Sequence, residues 1–172
     1  MRWRGTCYRA HAPKYAFDPL SGEGARIAGG RFNPVGMAAL YLAASIETML
    51  LEQGRGFSML LPPLTICAYL VDIENIVDLR TPELCTEAGF LFDSLACPWR
   101  QDRHEGRTPA SWLVAKDLLA KGANGILVPS FANGARPDMT NLVLWHWDAN
   151  NPLQIKIHDP HSDLPKDQSS WH

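Results

Sequence analysis

Residues 21–52 have the sequence SGEGARIAGGRFNPVGMAALYLAASIETMLLE and contain five of the 13 glycines of the 172-residue chain. Because glycine has no Cβ and permits positive φ, Gly22 and Gly24 would let the main chain approach a phosphate or nucleotide closely. The guanidinium groups of Arg26 and Arg31 suit bidentate binding of phosphate or carboxylate. The sequence therefore predicts an anion-binding loop, and the alternative is a surface loop with solvated arginines.

The second half of this stretch predicts a strand and then a helix. Residues 38–43 form a short apolar run that is typical of a buried strand. Ser45 is expected to be the N-cap of the following helix. Glu52 lies on the flank of its apolar face, roughly 110° from the centre of that face. A carboxylate there can border a cleft, although Glu52 could instead pair with Arg55 at i,i+3.

Two nucleotide-binding motifs match this stretch only in part. The dinucleotide fingerprint starting at Gly22 has Ile27 in place of its third glycine, and no strand is predicted before it. The spacing from Gly24 to Gly29 is that of a P-loop, but Gly-Arg follows where Lys-Ser or Lys-Thr is required. Neither a Rossmann nor a P-loop site is therefore predicted.

Composition favours one soluble, cytoplasmic domain that neither enters a membrane nor holds a metal. The chain is 46% hydrophobic and 20% charged, with no apolar run long enough to span a bilayer and no signal peptide at its start. Its four cysteines form no Cys-x-x-Cys pair, so reduced thiols are expected. His158 and His161 are three residues apart but have no third ligand beside them.

Positive charge is concentrated at the start of the chain. Residues 1–31 carry six basic and two acidic residues, a balance of +4, so the remainder sums to −6 within the net charge of −2. Six basic residues in an acidic protein are a weak footprint for a nucleic-acid duplex. The distribution favours a small anionic ligand and predicts no direct binding of nucleic acid.

The rest of the chain predicts a mixture of strands and helices without regular β-α-β alternation, which indicates an α+β fold. Helices are expected to start at Thr81 and Thr108, because each threonine precedes a proline at the first helical position. Residues 90–107 are predicted to be irregular and to form a lid. The predicted strands are residues 3–10, 64–71, 76–79, 125–130, 141–147 and 154–158.

Six motifs are distributed along the chain: Tyr8-Arg9, Leu20-Ser21-Gly22-Glu23-Gly24-Ala25, Gly29-Gly30-Arg31-Phe32-Asn33-Pro34, Leu40-Tyr41-Leu42-Ala43 leading to Glu52, Gly125–Ser130 and Asn141–Leu144. Taken together, these motifs resemble the RES domain, the toxin of RES–Xre toxin–antitoxin pairs, which is named for an arginine, a glutamate and a serine. The resemblance covers residues 1–158 as a single domain, and the polar C-terminal tail, residues 159–172, is the least family-like part.

The resemblance implies an ADP-ribosyltransferase-like fold, in which split antiparallel β-sheets with flanking helices surround a cleft for NAD+. Glu52 would stabilise positive charge on the ribose, and Tyr41 would stack on nicotinamide. Each role has a structural alternative, since Tyr41 could belong to the core and Arg31 could bind loop carbonyls. The residues implied in catalysis are Arg31, Tyr41, Glu52 and Ser130, and those implied in NAD+ binding are Arg9, Ser21, Gly22, Gly24, Arg31 and Tyr41.

The implied activity is cleavage of the nicotinamide–ribose bond of NAD+, which is consumed as a substrate, with transfer of ADP-ribose. Water, phosphate and a cellular protein are all open as the acceptor. The implied partner is an Xre-type helix-turn-helix antitoxin, in a homodimer or a hetero-oligomer with it. The alternative is a nucleotide-binding or protein-interaction module without turnover, for which Glu52 would be dispensable.

Overall fold

A computed structural model describes residues 1–54 and 61–169. They form an α+β fold in which helices flank one mixed sheet, so the predicted fold class is confirmed. The strands are β1 (Trp3–His11), β2 (Leu40–Ala43), β3 (Thr65–Ile73), β4 (Ile76–Asp78), β5 (Gly125–Pro129), β6 (Thr140–Leu144) and β7 (Leu153–Ile157). The helices are α1 (Glu23–Ala28), α2 (Ile46–Gln53), α3 (Pro82–Glu87), α4 (Phe92–Ala96), α5 (Trp99–His104) and α6 (Ala110–Ala120).

The sheet has two halves that meet at a narrow seam. The strand order is β4-β5-β6-β2-β1-β3-β7, and only β4 and β5 run parallel. Strands β1 and β3 pair continuously from Trp3 opposite Ile73 to His11 opposite Thr65. In contrast, β1 and β2 share one registered pair, Tyr8 with Ala43. The split implied by the family resemblance is thus a single-pair seam inside one sheet.

Alternating side chains of the central strands separate two hydrophobic cores, because successive residues of a strand point to opposite faces. The helix-side core lies under α3, α4 and α6 and includes Phe32, Leu79, Leu95, Val114, Leu118, Ile126, Val128, Val143 and Trp145. The strand-side core includes Cys7, Leu40, Leu42, Tyr69, Val71, Ile73, Leu127, Leu142, Leu144 and Ile155. Leu164, within the predicted tail, packs against the strand-side core.

Helix α2 begins as the sequence predicts. The Ser45 hydroxyl accepts a hydrogen bond of 3.1 Å from the backbone N–H of Thr48, which confirms the N-cap. The predicted apolar face is only partly buried, since Met49 is buried while Ile46 and Leu50 are exposed. Helix α2 therefore packs on β1 and β2 along a narrow strip, which leaves its last turn free to border a cavity.

Two segments predicted as loops contain helices, so those predictions are wrong. Residues 23–28 of the glycine-rich stretch form α1, which is held by an Arg26–Glu23 ion pair and by a 2.9 Å hydrogen bond from the Asn33 amide to the Ala25 carbonyl. Residues 90–107, predicted to be irregular, contain α4 and α5. Such short helices depend on tertiary contacts more than on their own propensity.

Three further boundaries are defined by the structure. Thr81 caps α3 through a 3.4 Å bond from the N–H of Leu84, as predicted. Helix α6 starts at Ala110 without a side-chain cap, so the predicted cap at Thr108 is wrong. Strand β6 ends at Leu144, before the predicted end at 147.

Within the described ranges, no helix has the length and apolar character that a membrane crossing requires.

Candidate active site

A cavity of about 790 Å³ opens where the two halves of the sheet meet. This volume lies within the range of small-molecule and cofactor sites. The structure brings five of the predicted site residues into its lining, namely Arg9, Gly24, Arg31, Tyr41 and Glu52. These residues come from β1, α1, the loop after α1, β2 and α2. The cavity therefore collects polar groups from both sides of the seam.

Glu52 is held by two donors that both bind the same carboxylate oxygen. Its Oε1 accepts hydrogen bonds of 2.6 Å from the Ser130 hydroxyl and 2.6 Å from the Asn141 side-chain amide. Its Oε2 has no hydrogen-bond partner among residues 1–54 and 61–169. Arg55, the predicted alternative partner of Glu52, lies outside these described residues. The carboxylate is thus oriented with one oxygen available to a ligand.

Asn141 is a site residue that the sequence interpretation missed, since it was named as the first residue of a strand and of a family motif but was given no role at the site. It lies on β6 directly opposite Ala43 of β2, which brings its amide beside α2. The available signal was a single polar residue in the otherwise apolar run Asn141–Leu144. A polar side chain on a central strand needs a partner, and here that partner is Glu52.

Arg31 is anchored by main-chain carbonyls and still faces the cavity. Its Nη1 donates to the carbonyls of Leu95, at 2.9 Å, and Cys97, at 2.8 Å. Its guanidinium carbon lies 4.6 Å from the centroid of the Phe131 ring, in cation–π contact. Burial lowers the pKa of Arg31, but a guanidinium stays protonated in proteins. The predicted loop-carbonyl contacts and a place in the cavity lining are therefore compatible.

The backbone around Arg31 is fixed by side chains from other parts of the chain. Three consecutive carbonyls each accept one side-chain hydrogen bond: Gly30 from Trp112 Nε1 at 2.8 Å, Arg31 from Ser111 Oγ, and Phe32 from Trp145 Nε1 at 3.0 Å. Paired main-chain groups of this kind leave a buried loop few other conformations. The position of the Arg31 guanidinium is thus determined before any ligand binds.

Tyr41 uses its hydroxyl inside the protein and presents its ring to the cavity. The hydroxyl donates to Asn33 Oδ1 at 2.7 Å and accepts from the N–H of Phe32 at 2.9 Å. Burial raises the pKa of Tyr41, so the phenol is neutral at physiological pH. Gly30 lies so close that a Cβ there would be 2.5 Å from the Tyr41 oxygen. Glycine is required at position 30 for this close approach.

The remaining predicted ligand contacts are divided between the cavity and the protein interior. Arg9 lines the cavity while its Nη1 donates to the Ser21 carbonyl at 3.0 Å. Gly24 also lines it, with open space where a Cβ would be. Ser21 and Gly22 are outside the lining, and a Cβ on buried Gly22 would lie 2.6 Å from Trp147. Gly22 therefore makes room for a tryptophan.

The model of the RES domain family matches residues 6–167. The chain belongs to the RES domain family. It is also similar to a protein named NAD(+) phosphorylase MbcT from Mycobacterium bovis and Mycobacterium tuberculosis. The identity to each is 30% over 158 residues, covering 83% of this chain and 81% of the relative. The family match reaches into the segment that the sequence predicted as a tail.

The cavity of this RES domain is lined by guanidinium, amide, carboxylate and aromatic side chains. Within the described parts of the chain, no group of three or more His, Cys, Asp or Glu side chains is arranged to hold a metal ion. The same residues leave no buried side-chain nitrogen or oxygen without a hydrogen-bond partner. The side chains that face the cavity can bind phosphate and hydroxyl groups through guanidinium, amide and carboxylate groups.

Proposed function

We propose that this RES domain cleaves the nicotinamide–ribose bond of NAD+ and transfers ADP-ribose to inorganic phosphate. The observation that carries the proposal is the shared cavity of Glu52 and Arg31, in which one Glu52 oxygen is fixed by two donors and the other is available. The similarity to NAD(+) phosphorylases supports phosphate as the acceptor, in preference to water or a protein side chain.

Glu52 would stabilise the charge that develops as the bond breaks. The bonding electron pair moves to the ring nitrogen of nicotinamide, which becomes neutral, while positive charge builds on C1″ and the ring oxygen of the ribose. An ionised Glu52 accepting hydrogen bonds from the ribose hydroxyls would gain interaction energy as that charge grows. Because Ser130 and Asn141 already hold Oε1, little reorganisation is needed at that moment.

The acceptor step would complete the reaction without a redox change. A phosphate oxygen forms a bond to C1″, and the products are nicotinamide and ADP-ribose 1″-phosphate. Tyr41 would pack its ring against nicotinamide, since its hydroxyl is already bonded to Asn33. Arg9 would bind the pyrophosphate through charge-assisted hydrogen bonds.

The resemblance to RES toxins supports a biological role in bacterial growth arrest. The protein would act in the cytoplasm, where NAD+ is made and used, and its consumption of NAD+ would stop cell growth. An Xre-type antitoxin, in a homodimeric or hetero-oligomeric complex, would then block the cavity. Expression of the chain alone should arrest growth, and co-expression with the cognate antitoxin should restore it.

The biochemical test is incubation of the purified protein with NAD+, with and without inorganic phosphate and with a cell lysate. We expect ADP-ribose 1″-phosphate in the phosphate arm, identified by mass spectrometry and ³¹P NMR. Free ADP-ribose formed equally with and without phosphate would indicate hydrolysis, and a labelled protein band would indicate a protein acceptor. Intact NAD+ in every arm would refute the proposed enzyme activity.

A further inference from the structure

The cavity has more positive charge than its one carboxylate can balance. Arg9, Arg31 and Arg100 line it against Glu52 alone, so the described lining has a formal charge of +2. None of the three arginines is ion-paired with a carboxylate in residues 1–54 and 61–169, whereas several arginines elsewhere, such as Arg107, are. Unpaired guanidinium groups that converge on a cavity indicate an anion-binding site.

A dinucleotide alone leaves part of this charge uncompensated. NAD+ has two negative charges on its pyrophosphate and one positive charge on nicotinamide, a net charge of −1. The described lining would then keep a charge of +1. Inorganic phosphate at neutral pH adds between one and two negative charges. The charge of the lining therefore fits NAD+ and phosphate bound together better than it fits NAD+ alone.

Arg31 and Arg100 lie on the same wall. The Arg31 guanidinium binds the carbonyl of Cys97, three residues before Arg100. Arg100 lies in the first turn of α5, with its guanidinium carbon 5.2 Å from the centroid of the neighbouring Trp99 ring. Burial is the main cause that lowers the pKa of Arg31, and the charge of Glu52 acts to raise it while that of Arg100 acts to lower it.

We propose that Arg31 and Arg100 form the subsite for the acceptor phosphate, and that Arg100 makes phosphate, and not water, the acceptor. Arg9 comes from β1, on the other side of the seam, and would serve the pyrophosphate of NAD+. A phosphate held beside Arg31 would be adjacent to Glu52 and hence to the ribose carbon that it attacks. This inference rests on the proposed NAD+ cleavage.

The test compares Arg100→Gln and Arg100→Lys with Arg107→Gln as the matched control. Arg107 is exposed just beyond α5, outside the lining, and its guanidinium is 2.7 Å from Asp102. Initial rates are measured with phosphate varied at saturating NAD+, and with NAD+ varied at saturating phosphate. Thermal unfolding of each variant tests whether it is folded. Because Arg100 is exposed, we expect its replacement to leave the unfolding temperature unchanged.

We expect Arg100→Gln to raise the half-saturating phosphate concentration about 10- to 100-fold, the range for loss of a charge-assisted hydrogen bond. The KM for NAD+ should change by less than about 3-fold, and the share of free ADP-ribose in the products should rise. Arg100→Lys, which keeps the charge but loses the planar fork, should be intermediate. Arg107→Gln should behave like the unmodified protein.

Other outcomes would overturn the inference in distinguishable ways. A raised KM for NAD+ with an unchanged phosphate dependence would place Arg100 on the pyrophosphate. No change in either parameter would remove Arg100 from the site. If the unmodified protein releases only ADP-ribose, independently of phosphate, the acceptor subsite is refuted while NAD+ cleavage stands. If it consumes no NAD+, the proposed function itself fails.

Discussion

Replacing Glu52 with glutamine removes one charge from the cavity and preserves the shape of the side chain. Glu52 is exposed, and its Oε1 is the acceptor for Ser130 and Asn141. The glutamine oxygen can keep this place, in which case its NH₂ group replaces Oε2 in the cavity. A donor would then face the ribose hydroxyls and the developing positive charge, where the native protein has an ionised acceptor.

The expected cost follows from the single free oxygen. A charge-assisted hydrogen bond contributes about 1.5 to 3 kcal/mol, and preorganised groups that stabilise transition-state charge contribute about 3 to 4 kcal/mol. With Oε2 as the one available oxygen, we expect a loss of about 2 to 4 kcal/mol in the transition state, or roughly 30- to 1000-fold in kcat. The free energy of unfolding should change by less than about 0.5 kcal/mol, because the side chain is exposed.

The assay is NAD+ consumption under saturating phosphate, together with growth after expression without an antitoxin. Glu47→Gln is the matched control, since Glu47 is an exposed acid on the same helix that is ion-paired with Arg136 outside the cavity. We expect Glu47→Gln to retain activity and growth arrest, and Glu52→Gln to lose both while remaining folded. A folded Glu52→Gln protein with kcat within about 3-fold of the native value would refute the role of Glu52. Unchanged growth arrest would favour a module without turnover.

Three further outcomes are expected. Asn141→Ala removes one of the two donors to Glu52 and should lower kcat about 10-fold with little change in KM, as measured by steady-state kinetics. Gly30→Ala places a Cβ 2.5 Å from the Tyr41 oxygen, so we expect the free energy of unfolding, measured with urea, to fall by about 1 to 3 kcal/mol. Burial, with a smaller effect of the charge on Arg9, lowers the pKa of His11 to about 4, below its ordinary value of 6.5. The stability that neutral His11 contributes is therefore present above pH 6.5 and is lost as the pH falls to 4. His11→Gln should therefore show a shallower decline in the free energy of unfolding across that pH range, and an unchanged slope would contradict this account.

The sequence predicts those elements whose signals are local. β3 is rich in β-formers, and Ser45 and Thr81 are each followed by a helix that they cap. Helix α1 was missed because its six residues include Gly24 and have no side-chain cap, so local propensity argues against it. Its contacts with Asn33 and the following loop form only in the folded chain.

The candidate site was predictable in part for the same reason. Arg31 and Glu52 belong to one continuous family-like stretch, and the structure places both in one cavity. Asn141 binds Glu52 across 89 residues of sequence, a contact that exists because β6 pairs with β2. Arg100 was predicted to lie in an irregular lid, and its place in the cavity depends on the unpredicted α5. Strand order and helix docking are long-range properties that residue patterns do not encode directly.

The single pair between Tyr8 and Ala43 has a consequence for hydrogen exchange. On one side of the cavity Arg9 belongs to a strand paired with β3, and on the other Tyr41 packs against the helix-side core. The strand-side core joins the two halves of the sheet on one face, and a dinucleotide that contacts both walls would act as a noncovalent cross-link between them at the cavity. Its binding should slow amide exchange in β1 and β2 together, including at amides that it does not touch.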